Sequence, residues 1–154
     1  MKKLAEVDMS TIEVPDINAM YALPESVKRT AVFEDFQRMH ESWLEKQFGD
    51  VYAVITNDEL LESFCTLSFQ LVHAWARLDE LAVGTENDVA VLLTFWHAGE
   101  VGQQCSEDEV LKLGQVLRVG HLTPFFRRLV LPELKWFKKH VTQLNVFACV
   151  WDDG

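Results

Sequence analysis

The sequence predicts a mainly α-helical single domain, arranged as a bundle of about five helices. Two observations support this prediction. Apolar residues recur at spacings of three and four, and signals that start and stop helices follow one another at short intervals. The chain has 154 residues, of which 49% are hydrophobic, and it contains only 7 Gly and 4 Pro. A chain of this size and composition forms one ordered domain that buries about two thirds of its unfolded surface.

The first part of the chain, residues 1–24, has an irregular pattern interrupted by Pro15 and Pro24. Such a segment is typical of an N-terminal arm laid over the body of a protein. The single helical domain is then expected to cover residues 25–154. Its first helix should run from about Glu25 to Phe48, because the apolar residues of this range form one stripe.

The run from Val51 to Ile55, VYAVI, is short and β-branched. It is compatible with a strand or with the buried lead-in to the next helix, and its pattern does not decide between them. If it is a strand, the apolar residues 144–151 are the candidate partner, and the two segments (51–55 and 144–151) would form a minor two-stranded β element. If it is not, residues 144–151 extend the helical packing.

A long central helix is predicted after this run. Thr56 and Glu59 have the spacing of a capping box, in which each side chain binds the other residue's backbone N–H group. Apolar residues then cover most of the circumference as far as Leu81, and Gly84 follows. A helix that is apolar on several sides is usually contacted on several sides, so we expect this one to lie at the centre.

Three further helix starts follow. Thr85 with Asp88, and Ser106 with Glu109, have the capping-box spacing again. The third start is Pro124, since proline is tolerated at the first position of a helix. Pro132 lies eight residues further on and should kink or split the last helix.

Motifs for catalysis and for metal binding are missing from the sequence. Each of the five histidines follows an apolar residue by four positions, as expected at the margin of a buried stripe, and none belongs to an H-E-x-x-H motif. No serine lies in G-x-S-x-G, and no glycine-rich phosphate loop is present. We therefore expect no metal, no cofactor and no catalytic residues, and enzymatic activity is the less favoured interpretation.

One alternative is a pocket for a small molecule, in a binding protein or a small enzyme. His73, Arg77 and Glu80 fall on one face of the predicted central helix, and His97 and Glu100 stand three residues apart. Polar groups in apolar surroundings need partners, which a ligand can supply. The residues of this alternative pocket are His73, Trp75, Arg77, Trp96, His97 and Glu100.

The most unusual stretch is the segment from Phe125 to His140, FFRRLVLPELKWFKKH, which holds five Lys or Arg residues and four aromatic rings. Residues 1–123 carry a net charge of -12, whereas residues 124–154 carry +2. Mixed cationic and aromatic side chains can supply both electrostatic steering and desolvated anchors to a partner. The predicted contact residues are Phe125, Arg127, Arg128, Lys135, Trp136, Lys138 and Lys139.

The sequence therefore favours a non-enzymatic binding or regulatory module that acts through protein-protein contacts. The expected partner is a second copy of the chain, in a homodimer, or an acidic protein. Nucleic acid and membranes are disfavoured, because a body with a net charge near -12 repels phosphate-rich surfaces. Glu6 and Asp8 interrupt any signal-peptide core. We expect a cytoplasmic protein whose cysteines, odd in number, are reduced.

Overall fold

The computed structural model describes residues 13–138, and this part of the chain is helical almost throughout. In chain order its α-helices are α1 (Val14–Tyr21), α2 (Glu25–Lys28), α3 (Ala31–Phe48), α4 (Val51–Thr56), α5 (Asp58–Cys65), α6 (Phe69–Ala76), α7 (Glu86–Ala98), α8 (Glu100–Gln103), α9 (Glu107–Val116) and α10 (Lys135–Lys138). Between α9 and α10 lie a 3₁₀ turn (Val119–His121), a π-helical turn (Phe126–Val130) and a second 3₁₀ turn (Leu131–Glu133). The predicted mainly helical fold is confirmed, but about five helices is too few.

The predicted first helix is divided near its start. Thr30 caps α3, because its hydroxyl oxygen accepts a hydrogen bond from the backbone N–H of Phe33 at 3.4 Å. The same hydroxyl donates to the carbonyl of Val27 at 2.7 Å, which ends α2. One threonine therefore binds both helix ends. The prediction of one continuous helix from Glu25 to Phe48 was wrong, because the chain breaks once within this range.

The start predicted for the central helix was also wrong. Thr56 is the last residue of α4, and its hydroxyl donates to the carbonyl of Tyr52 at 2.8 Å. The cap of α5 is instead Asn57, whose side-chain oxygen accepts from the N–H of Leu60 at 3.0 Å. Asparagine is among the best N-capping residues, and here it takes the place of the neighbouring threonine.

The central helix is divided a second time, between α5 and α6. Thr66 ends α5 through a hydroxyl bond of 2.7 Å to the carbonyl of Ser63. Ser68 begins α6, and its N–H donates to the side-chain oxygen of Asn18 in α1 at 3.1 Å. Helix α6 then ends at Ala76, before the predicted end near Leu81. Short polar side chains satisfy the backbone groups that each break exposes.

The possible strand at residues 51–55 is a helix. Asp50 caps α4 by accepting a hydrogen bond from the N–H of Ala53 at 2.9 Å, and Val51 and Val54 are fully buried. Within residues 13–138 the β-type pairing is limited to an isolated bridge between Asp50 and Ala82. The proposed partner segment, residues 144–151, lies outside the described residues.

Three local signals in the second half of the chain are confirmed. Capping boxes begin α7, with Thr85 and Asp88, and α9, with Ser106 and Glu109. Pro132 lies at the break between the π-helical turn and α10, where the chain forms a 3₁₀ turn. These signals depend on residues within one helical turn of each other, and at these positions no neighbouring residue provides a competing cap, as Asn57 does beside Thr56.

Part of the predicted N-terminal arm is a helix that packs on the body. Ile17 of α1 is fully buried in the core. Asn18 bridges α1 to the α5–α6 break, since its side chain donates to the carbonyl of Thr66 at 3.4 Å and accepts from Ser68. The described part of the arm is therefore fixed at two points.

The centre of the core is built around two fully buried tryptophans. The indole N–H of Trp75 donates to the carbonyl of Phe48 at 2.9 Å, and that of Trp96 donates to the carbonyl of Leu67 at 2.9 Å. The ring of Phe64 lies edge-on between the rings of Phe48 and Trp75, with centroid distances of 5.5 and 4.8 Å. Aromatic rings at such distances and angles interact favourably beyond their burial.

None of the helices in residues 13–138 is both long enough and apolar enough to cross a lipid bilayer.

We predict that Trp75→Ala lowers the free energy of unfolding by about 3–5 kcal/mol, because it removes a buried ring and leaves a cavity. Urea denaturation followed by circular dichroism measures this loss. Tyr52→Ala is the matched control, since Tyr52 is a large aromatic residue with 66% of its surface exposed. Equal denaturation midpoints for the two variants would show that Trp75 is not a core residue.

Candidate functional site

The structure divides the predicted contact residues into an exposed set and a buried set. Phe125 is 69% exposed, and Arg128, Lys135 and Lys138 are exposed as well. Arg127 is only 7% exposed, and Trp136 is buried, so these two residues belong to the interior. Lys139 lies outside the described residues.

The exposed apolar surface of this segment is concentrated in one turn. We define the contact turn as residues Phe125–Leu129. Its two large apolar side chains, Phe125 and Leu129, are 69% and 60% exposed, and Arg128 beside them is exposed. Sequence analysis named Phe125 and Arg128 but missed Leu129, because the period of an α-helix does not apply within a π-helical turn.

The contact turn is fixed to the body of the protein by hydrogen bonds and by buried side chains. Asn87 of α7 and Thr123 exchange two hydrogen bonds: the Asn87 amide donates to the Thr123 hydroxyl at 2.9 Å and accepts from the Thr123 N–H at 3.0 Å. Phe126 and Leu131 are buried in the core. The turn therefore presents its outer side chains from a rigid base.

The basic residues further along the segment, Lys135 and Lys138, lie on either side of Trp136, a buried residue that fixes this part of the segment to α7. The indole N–H of Trp136 donates to the hydroxyl of Thr94 in α7 at 2.9 Å. Lys138 lies 3.6 Å from the carboxylate of Glu133, and both side chains are exposed. An exposed pair of this kind adds little stability, so Lys138 remains available to a partner.

The six residues of the alternative pocket do not share one cavity in residues 13–138. Trp75 and Trp96 are buried, with their indole N–H groups bonded to backbone carbonyls. The other four are distributed over two clefts and the open surface. His73 and Arg77 line one cleft, His97 lines another, and Glu100 lines neither.

The larger cleft has a volume of about 640 Å³ and lies between α7, α9 and the start of α10. It brings His97 of the alternative pocket together with Lys135 and Trp136 of the basic segment. The rings of His97 and Trp136 are 6.3 Å apart between centroids. Sequence analysis assigned these residues to two separate hypotheses, because no local pattern in the sequence indicates that α7 and α10 lie close together.

The smaller cleft, which we call the polar cleft, has a volume of about 390 Å³ and lies between α1, α3 and α6. Most of its lining is polar, although Phe69 contributes an aromatic side chain. Sequence analysis found His73 and Arg77 but missed the residues that α1 and α3 contribute. The lining consists of Tyr21, Gln37, Glu41, Phe69, Gln70, His73, Ala74, Arg77 and Leu78.

A hydrogen-bonded tyrosine and histidine connect the polar cleft to the interior. His40 is fully buried, and its Nδ1 lies 3.1 Å from the carbonyl of Phe36, which assigns the ring proton to Nδ1. Its Nε2 accepts a hydrogen bond of 2.5 Å from the hydroxyl of Tyr21. Burial lowers the pKa of His40, and burial together with the charge of Glu41 raises the pKa of Tyr21. Both groups are therefore neutral near pH 7.

The described thiols are protonated near neutral pH. Burial raises the pKa of Cys65, and burial with the charge of Glu109 raises the pKa of Cys105 to about 11. Because the thiolate is the nucleophilic form, neither side chain is activated for attack. Among residues 13–138, no group of three or more His, Cys, Asp or Glu side chains is arranged to hold a metal ion.

Comparison with protein-family models, with curated proteins and with solved structures finds no match to this chain.

We predict that the protein loses stability as the pH falls below about 6.5, the ordinary pKa of histidine. The pKa of His40 is lower in the folded state than in the unfolded state, so the unfolded chain binds the proton first. The stabilisation is complete above the unfolded pKa and is lost as the pH falls toward the folded one. His73, whose pKa is also lowered by burial, contributes with the same sign. Denaturation midpoints measured between about pH 8 and pH 5, the titration range of histidine, test the effect.

The variant His40→Gln keeps an acceptor for Tyr21 but cannot titrate, so its stability should depend less on pH than that of the unmodified protein. His121→Gln removes an exposed histidine and serves as the control. An unchanged pH dependence in His40→Gln would contradict the role assigned to His40.

Proposed function

We propose that this protein is a non-enzymatic binding module that acts through protein-protein contacts, as a homodimer with the contact turn at the centre of its interface. One observation supports this most strongly: Phe125 and Leu129 are 69% and 60% exposed on a rigid turn, beside the exposed Arg128. Aromatic residues and arginine, here Phe125 and Arg128, are enriched in the cores of protein interfaces.

The exposed side chains supply part of the driving force for association. Complete burial of a Phe or Leu side chain is worth about 1.5–3 kcal/mol. In a symmetric dimer each side chain is buried twice, once from each copy. Such anchors carry most of the binding energy of an interface when contacts that exclude water surround them.

The rigidity of the contact turn favours association as well. Binding costs free energy when loops and side chains become ordered. Here the paired hydrogen bonds of Asn87 and Thr123 hold the turn before any partner arrives. Phe126 is buried directly beneath it. The ordering cost is therefore limited to the outer side chains.

Charge favours a second copy of the chain as the partner. Residues 124–154 carry a net charge of +2 and residues 1–123 carry -12, so each copy offers both a basic segment and an acidic body. Around the centre of the interface the basic segment of one copy can meet the acidic body of the other, and such charge pairs hold the register of an interface. The same acidic body disfavours nucleic acid and anionic lipid as partners.

We predict that the double substitution Phe125→Ala with Leu129→Ala weakens the dimer by at least about tenfold, because the apolar anchors are lost. Sedimentation velocity over a range of micromolar concentrations measures the dissociation constant. The matched control is Val32→Ala with Tyr52→Ala, which removes two apolar side chains that are 65% and 66% exposed elsewhere on the protein. Circular dichroism confirms that each variant keeps its helices.

Raising the salt concentration should also weaken the dimer, because charge pairing at the interface is screened. Arg127 is unsuitable for a charge-reversal test, since it is buried and its substitution would disturb the fold. A monomer of 17.7 kDa for the unmodified protein at every concentration would refute the proposed homodimer and leave an acidic protein as the partner to seek.

A further inference from the structure

The polar cleft has two poles of opposite charge. Tyr21 and Glu41 form an acidic pole on α1 and α3, and they are close enough for the Glu41 charge to raise the pKa of Tyr21, after burial. His73 and Arg77 form a basic pole on α6, where burial first, and then the charges of Arg77 and Lys112, lower the pKa of His73. Both poles line the same cleft, which has a volume of about 390 Å³.

The charged and amide side chains of this cleft make no hydrogen bonds or ion pairs within the described part of the chain. The side chains of Gln37, Glu41, Gln70 and Arg77 make no hydrogen bond or ion pair with any of residues 13–138. The ring of His73 contacts the ring of Phe69, with 5.4 Å between the centroids, and its nitrogens make no hydrogen bond to this part of the chain. The side chains of Gln37, Glu41, Gln70 and Arg77 are exposed, so they are available to a ligand that enters the cleft.

The hydroxyl of Tyr21 can take part in only one further kind of hydrogen bond. Its proton is donated to the buried Nε2 of His40 at 2.5 Å, so its oxygen can only accept a further hydrogen bond. The carboxylate of Glu41 is also an acceptor. The acidic pole therefore fits a donor with a positive charge, and an ammonium group has both properties.

The basic pole fits the opposite chemistry. The guanidinium of Arg77 has five N–H donors in a planar arrangement that matches a carboxylate. An anion without a positive group would be repelled by Glu41, and a cation without a negative group would be repelled by Arg77 and Lys112. A molecule that carries both charges at a short separation satisfies both poles.

We propose that the polar cleft binds a small zwitterion of the α-amino acid class, with its ammonium group at Tyr21 and Glu41 and its carboxylate at Arg77 and His73. The aromatic ring of Phe69 and the side chain of Leu78 form the apolar part of the lining, against which the ligand's own side chain packs. The cleft volume is within the range of small-molecule sites, about 300–1,000 Å³. This site is separate from the contact turn and does not depend on the proposed homodimer.

Isothermal titration calorimetry of the full-length protein with L-leucine, L-phenylalanine and L-glutamine tests the proposal. At least one of the three should bind at millimolar concentration or better. Its amide, which lacks the carboxylate, and its N-acetyl derivative, which lacks the ammonium group, should each bind at least tenfold more weakly. Failure of all three amino acids to bind would overturn the proposal, as would binding of either derivative with the affinity of the free amino acid.

Substitutions then assign the poles. Glu41→Gln and Arg77→Gln should each weaken binding of the amino acid by about tenfold or more, since each removes a charge-assisted hydrogen bond. Glu41→Gln should also reduce the preference for the free ammonium group over the N-acetyl derivative. The matched controls are Glu45→Gln, one turn further along α3, and Arg29→Gln, which are exposed and outside the cleft. Unchanged affinity in both cleft variants would place the bound amino acid elsewhere and refute the site.

Discussion

The fold depends on hydrogen bonds from the side chains of distant residues to backbone carbonyls that lie at or just after the ends of helices. The carbonyl of Phe48 at the end of α3 and that of Leu67 after α5 lie in the core, where an unpaired carbonyl costs about 1–3 kcal/mol. The indole N–H groups of Trp75 and Trp96 satisfy them at 2.9 Å each. Arg118 does the same for the carbonyl of Leu78 at 3.0 Å. Helices of six to eight residues, such as α4, α5 and α6, are too short to be stable alone and depend on the core into which they pack.

This arrangement determines which side chains remain available for function. Both buried tryptophans pack in the core, and the ring nitrogens of His40 are hydrogen-bonded to the hydroxyl of Tyr21 and the carbonyl of Phe36. What the packing leaves unused is at the surface: the contact turn, and the charged lining of the polar cleft. The two binding proposals rest on these surfaces.

Local features of the fold were predictable from the sequence, and features set by packing were not. The capping boxes at Thr85 and Ser106 and the break at Pro132 act within one turn, so they were identified correctly. The helix start predicted at Thr56 lies one residue early, because Asn57 is the cap. The breaks at Thr30 and Ser68 were missed, because apolar periodicity continues across both of them. In the site, the basic aromatic segment was recognised from composition. Which of its neighbours face outward, as Arg128 and not Arg127 does, depends on the π-helical turn. The polar cleft was missed in part because Tyr21 and Glu41 reach it only through the packing of α1 on α3.

Hydrogen-deuterium exchange at two protein concentrations, above and below the dissociation constant of the dimer, tests the central claim most directly. The account predicts that peptides covering residues 123–131 exchange more slowly at the higher concentration, because the contact turn is then buried against its partner. Peptides covering α5, which lies elsewhere in the fold, should exchange at the same rate in both samples and serve as the internal reference. Equal exchange of the contact turn, in samples that sedimentation shows to be monomer and dimer, would contradict the account.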